Sequence, residues 1–138
     1  PPSDAVHFNG HWYKCYRAEI SWHEAKERCE QLGGSLVCVE SASEKLFLTS
    51  LAIKSNLPDR VWLGATDERK EGDWRWVNGK VLNDESYKIK WHAGRPDNAW
   101  GGQHYLYFNA AGDEWDDNKA EGNVSGGVAI YGFICEWE

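Results

Sequence analysis

Both helices of this chain are spelled out early, and that ordering limits the folds open to it. Ser21-Trp22-His23-Glu24 and Ser41-Ala42-Ser43-Glu44 each read as a capping box, where a serine hydroxyl and a glutamate carboxylate satisfy free amides at a helix start. The first box opens a helix whose Trp22, Ala25, Cys29 and Leu32 form one apolar stripe at helical spacing. It ends at Gly33-Gly34, residues suited to a left-handed C-cap. The second box starts a helix running to Lys54, with Phe47, Leu48, Leu51 and Ala52 inward, and Pro58 lies beyond its end. Strand-like runs dominate from there on. Helices first and most strands later predict an α+β fold.

The strands are read from alternation and from short apolar runs. His11–Arg17 alternates, with Trp12, Lys14 and Tyr16 on one face and Tyr13 and Cys15 on the other. Residues 36–39 and 61–65 are short buried strands. Trp74-Arg75-Trp76-Val77, Asn78-Gly79 and Lys80-Val81-Leu82 form a hairpin signal, because Asn-Gly tolerates the positive φ angles of a type I′ turn. Further strands are expected over 104–108, into Trp115 after a turn at 109–112, and over 128–137, with 118–127 as a loop. Residues 1–10 read as an N-terminal tail. Neither a repeat nor a linker divides residues 1–138, so they are expected to form a single domain.

A net charge of −7 argues against nucleic-acid binding and against docking on anionic lipid. No run approaches the roughly 18 apolar residues of a membrane span. The chain begins Pro1-Pro2-Ser3 with no secretory signal, as expected for a mature form or an excised segment. The cysteines, Cys15, Cys29, Cys38 and Cys135, form no CxxC, which disfavours a zinc ribbon or a thioredoxin-type motif. An even, dispersed set reads as two disulfides and an oxidising compartment, with three pairings open. The five histidines, at 7, 11, 23, 92 and 104, lack metal-ligand spacing and read as surface or packing residues. No phosphate loop or nucleophile–base arrangement is present, so catalysis is not expected. Asn123-Val124-Ser125 is a glycosylation sequon, short enough to arise by chance.

The stretch 90–117 differs from the rest. Gly94, Pro96, Gly101 and Gly102 interrupt it without any helical or strand period. Long irregular connections inside a compact domain are usually functional. Asp97, Asp116 and Asp117, with the amides of Asn98 and Gln103, could converge as oxygen donors, a set that suits a hard cation such as calcium. Composition alone favours a solvated acidic turn.

Taken in register, Cys29, Trp62-Leu63-Gly64, the 74–79 hairpin, Pro96-Asp97-Asn98, Trp115-Asp116-Asp117 and Gly132-Phe133-Ile134-Cys135-Glu136 closely resemble the C-type lectin-like domain, over residues 12–136. The resemblance implies two helices flanking a small antiparallel sheet in which the termini meet, and a second sheet supporting a long loop region. It implies a Cys29–Cys135 disulfide, which leaves Cys15 with Cys38, a bridge the family does not generally have. The family's second loop disulfide is missing, since Tyr105 occupies one of its cysteine positions.

In sugar-binding members of that family one calcium is held by a loop tripeptide, a following Glu and an Asn-Asp pair, and the same ligands bond the sugar. The matching residues here are Arg95, Asp97, Gln103, Asp116 and Asp117. Asp97 and Asp117 match outright, and Asp116 and Gln103 keep an oxygen donor. Arg95 departs, because a guanidinium cannot ligate a cation. Either it turns outward, or its charge takes the metal's place among the three aspartates. An auxiliary calcium position of the family corresponds to Asp67, Glu71 and His104, and the imidazole is a poor calcium ligand. That site is expected to be vestigial, and 67–71 to be a solvated charge run. Trp100 lies one residue beyond the place where galactose-type members carry a stacking tryptophan; alternatively it packs down and plugs the loop.

Two functions follow from the resemblance. One is a secreted, calcium-dependent lectin module for galactose-like sugars, bound through Arg95, Asp97, Trp100, Gln103 and Asp116, with glycans or glycoproteins as partners. The other is a calcium-independent protein-recognition module with Arg95, Trp91 and Trp100 as contacts, since Arg and Trp dominate protein hot spots. A module acting only as structural support in a larger exported protein is a third.

Overall fold

The computed structural model describes residues 1–57, 59–82, 104–109, 114–118, 130 and 132–138. Strands β1 (Val6–Phe8) and β2 (His11–Arg17) precede helix α1 (Trp22–Gln31), strand β3 (Ser35–Leu36) and helix α2 (Ala42–Lys54). Five strands come after them: β4 (Arg60–Thr66), β5 (Arg75–Trp76), β6 (Tyr105–Asn109), β7 (Glu114–Asn118) and β8 (Gly132–Trp137). The α+β expectation holds. Hydrogen bonding joins the strands in the order β1-β2-β8-β4-β6-β7, with β3 on β8 and β5 on β4. The two expected sheets are thus continuous. They meet where β4 and β8 run parallel, at Val61↔Gly132 and Trp62↔Phe133.

Local sequence explains both helices. Each begins where a serine side chain accepts the amide three residues on, Ser21 from Glu24 and Ser41 from Glu44, both at 3.1 Å. The α1 terminus is a Schellman turn, with Gly34 N donating to Cys29 O and Gly33 N to Glu30 O. Neither glutamate closes its box on the N-cap amide. Glu24 accepts from the Ser21 hydroxyl, while Glu44 is buried and accepts from Tyr13 OH and the Glu40 amide. A tertiary partner outcompetes the local one.

The helices lie against opposite faces of the sheet. Alternation along β4 sends Val61, Leu63 and Ala65 into the α2-side core with Leu48, Leu51, Leu106, Phe108, Trp115 and Ile134. Trp62 turns the other way, to Trp22, Cys29, Phe133 and Trp137 beneath α1. Buried indoles peg that layer to backbone carbonyls: Trp22 Nε1 donates to Leu63 O (2.8 Å) and Trp62 Nε1 to Ile20 O (2.9 Å). Cys29 of α1 is bonded to Cys135 of β8, with Cα atoms 5.5 Å apart.

Three expectations need correction. Residues 1–10 are not a tail, since Val6–Phe8 pairs with β2. Asn9 (φ 49°) and Gly10 (φ 89°) make a two-residue turn with both φ positive, the I′ geometry. At 77–79 the turn is longer: Trp76 N donates to Lys80 O, and only Gly79 has positive φ. Asn78 is held instead by its side chain, which donates to Glu40 Oε1 and accepts from Lys80 N. Finally, Cys15 and Cys38 are free thiols. Cys15 lies opposite Ile134 on one edge of β8, and Val37 N donates to Ile134 O on the other. Two strand spacings, about 9–10 Å, therefore separate the cysteine backbones, beyond the roughly 7 Å a disulfide spans.

The last strand carries a buried carboxylate. Glu136 accepts from Cys38 N (2.8 Å) and pairs with His11 Nδ1 (2.7 Å). The Glu136 bond raises the His11 pKa above its ordinary 6.5. Burial raises that of Glu136, outweighing the lowering by the Cys38 amide and His11. Both shifts mean the folded chain holds more protons than the unfolded one. The stabilisation from His11 is therefore full below about pH 6.5 and fades as pH rises through the raised value. Unfolding followed at about pH 5.5 and about pH 8 should show His11→Asn costing more at the lower pH. An equal cost at both would refute the coupling.

Candidate functional site

Strand β7 delivers two carboxylates directly after a core tryptophan. Trp115 is buried, its ring edge-on to Trp76 at 5.8 Å, and this fixes the register of Asp116 and Asp117. Tyr107 lies opposite Asp116 and Leu106 opposite Asp117. Asp116 Oδ2 accepts from Tyr107 OH (3.0 Å) and its Oδ1 from Asp117 N (2.8 Å). Asp117 is 2% exposed. Buried carboxylates are retained only with hydrogen bonds or a cation beside them. Asp97, Gln103, Arg95, Trp91 and Trp100 lie outside the described residues, as do Asn98 and Asn123.

A second group forms where β4 ends. Thr66 pairs with Tyr105, and both the Thr66 hydroxyl (2.6 Å) and Asp67 N (3.1 Å) donate to His104 O. This clamps Asp67, Glu71 and His104 together, their donor atoms all within 4.8 Å of one another. Asp67 Oδ2 accepts from Gly72 N (2.8 Å), Oδ1 lies 2.9 Å from His104 Nδ1, and Glu71 Oε2 is 3.8 Å from the same nitrogen. A hydrogen bond shared with Asp67 raises the Glu71 pKa, as expected for two acids at close quarters. Calcium takes six to eight oxygens. Two carboxylates and an imidazole nitrogen instead resemble the three-ligand sets that hold zinc-like ions. Among the described residues, the donor set does not fit calcium.

The run 67–71 is also not uniformly solvated. Its acidic side chains turn toward His104, His23 and Tyr105, whereas Arg69 and Lys70 line a cavity of about 490 Å³ with Arg75 and Trp76. Nothing in the order of charges along 67–71 marks that division, because it depends on which strands flank the loop.

The model of the Lectin C-type domain matches residues 18–125. C-type lectin domain family 4 member M of Nomascus concolor is 33% identical over 118 residues, covering 86% of this chain and 28% of the relative. The chain thus spans little more than a quarter of that relative's length. The cow carbohydrate-recognition domain of CD23, solved in the presence of a GlcNAc2Man3 oligosaccharide, superposes with a TM-score of 0.79 at 25% identity, covering 99% of this chain and 95% of that one. The carbohydrate-recognition domain of the mouse scavenger receptor C-type lectin gives 0.81 at 25% identity, covering 100% and 98%.

Proposed function

The chain belongs to the C-type lectin domain family, and from that premise we propose that it binds galactose-like sugars through a calcium held by Asp97, Gln103, Asp116 and Asp117. The observation that carries this reading is the pair of buried carboxylates on β7, Asp116 and Asp117, set in place by Trp115 and Tyr107. A bound calcium supplies coordination positions for two vicinal sugar hydroxyls. Asp97, Gln103 and Asp116 bond those hydroxyls, and Trp100 stacks on the apolar face of the ring. The activity is recognition, not catalysis. Single-site affinity is weak, so useful binding depends on multivalency. Exposure to an oxidising, extracellular compartment is supported by the Cys29–Cys135 disulfide. No helix among the described residues is long and apolar enough to cross a membrane.

Arg95 is the observation favouring a second reading, calcium-independent recognition of a protein through Arg95, Trp91 and Trp100. Thermal unfolding with calcium and with a chelator separates the two. Ligand at a hundred times its dissociation constant stabilises by about 2.7 kcal/mol, a rise of several degrees. The parent should show that rise and Asp117→Asn should lose it. A rise confined to Arg95→Gln would mean that the guanidinium has replaced the ion, and would overturn the calcium reading.

A further inference from the structure

Run 67–71 sorts its charges by side, and the basic side faces a cavity. Asp67 and Glu71 are engaged with His104, while Glu68 reaches His23 (3.8 Å) and Tyr105 OH (3.5 Å). Arg69 and Lys70 line the cavity beside Thr66, Arg75, Trp76 and Val77, and neither side chain has an ion-pair or hydrogen-bond partner among the described residues. Arg75 reaches the cavity from β5, its Nε donating to Asp73 Oδ1 at 3.0 Å. Among the described residues that line it, three cations stand against one carboxylate, a net +2 in a chain whose net charge is −7. Uncompensated cations collected around one concavity focus potential on an anionic ligand. The volume, about 490 Å³, falls within the range of small-ligand sites.

We infer that this cavity is a subsite for an acidic carbohydrate, taking a sulfate or carboxylate group on Arg69, Lys70 and Arg75. The choice of a carbohydrate rests on the proposed sugar-binding function. A planar guanidinium accepts either anion through paired hydrogen bonds, and a lysine adds charge without geometry. Val77 and Trp76 give the cavity an apolar side, which suits the body of a sugar ring more than a fully hydrated inorganic ion.

The test is titration of the intact chain, with calcium chelated, against three tetrasaccharides of similar size. A heparin-derived one carries sulfate and carboxylate, a hyaluronan one carries carboxylate alone, and a chitin one is neutral. Binding is followed by the indole resonance of Trp76, assigned with Trp76→Phe. The heparin-derived and hyaluronan arms separate sulfate from carboxylate as the recognised group. At least one should bind, the neutral one should not, and added salt should weaken the interaction. Arg69→Gln and Lys70→Gln, both at exposed positions, should each lose about fivefold, while calcium-induced stabilisation stays as in the parent. Equal binding of the neutral sugar, no binding of either acidic one, or full affinity in the double variant would overturn the subsite. Preferential binding of a poly-glutamate peptide through the same residues would overturn the carbohydrate assignment. Because the sugar titrations are run without calcium, failure of this subsite is distinct from failure of the calcium site.

Discussion

Replacing Cys29 and Cys135 together with serine should cost about 4–5 kcal/mol. The bridge closes a separation of 106 residues, and in the chain-entropy model a loop that long is expensive to close without it. A domain has only about 5–15 kcal/mol in total, so much of the doubly substituted chain should be unfolded at body temperature. Changing both cysteines avoids a stray thiol that could attack elsewhere. The remaining two are poor nucleophiles, because burial pushes the Cys15 thiol up to about 11 and the Cys38 thiol to about 12. Urea unfolding measures the loss. A cost below about 1 kcal/mol would mean that β2–β8 pairing alone closes the fold and that the bridge adds little to it.

Trp115→Ala should cost about 3–5 kcal/mol, the usual range for deleting a buried aromatic ring. The ring is 1% exposed and meets Trp76 edge-on, so its removal leaves a void that rigid neighbours cannot fill. Trp115→Phe keeps part of the contact and should cost less. The functional consequence is separable from the stability loss. Trp115 sets the position of Asp116 and Asp117, so calcium-induced stabilisation should shrink in Trp115→Ala even under conditions where it remains folded. An undiminished calcium response would show that the aspartates are held by β6 alone.

Features set by neighbours in sequence were legible, and those set by neighbours in space were not. Ser21 and Ser41 are caps because a serine three residues before a free amide can bond it whatever lies around. Gly33-Gly34 ended α1 for an equally local reason. Glu44 defied its box because Tyr13, far away in sequence, offers a hydroxyl inside the core. Asn78 has the right residue type for a two-residue turn, but Glu40 captures its amide and a longer turn results. The same dipeptide at Asn9-Gly10, with no such competitor, takes the two-residue form. Cys15 and Cys38 looked available to one another until β8 was placed between them.

The candidate site divides in the same way. Trp115-Asp116-Asp117 could be placed because a tryptophan at that point has one place to go, the core. Asp67, Glu71 and His104 could be grouped only through the resemblance, and their contact depends on Thr66 pairing with Tyr105. That Arg69 and Lys70 face away from their acidic neighbours is a property of the folded loop.

Strand β8 pairs with β2, β3 and β4, yet it is the final strand in chain order. During synthesis, both helices and the first strands leave the ribosome without the element that unites them. At about 5–20 residues per second, the 106 positions between Cys29 and Cys135 take roughly 5–20 s to translate. Through that interval the Cys29 thiol waits without its partner, and the apolar faces of α1 and β4 stay uncovered. For a nascent chain of this design the native bridge requires thiol oxidation that acts late. Oxidation that comes early has Cys15 and Cys38 within reach, and leads to the wrong bridge.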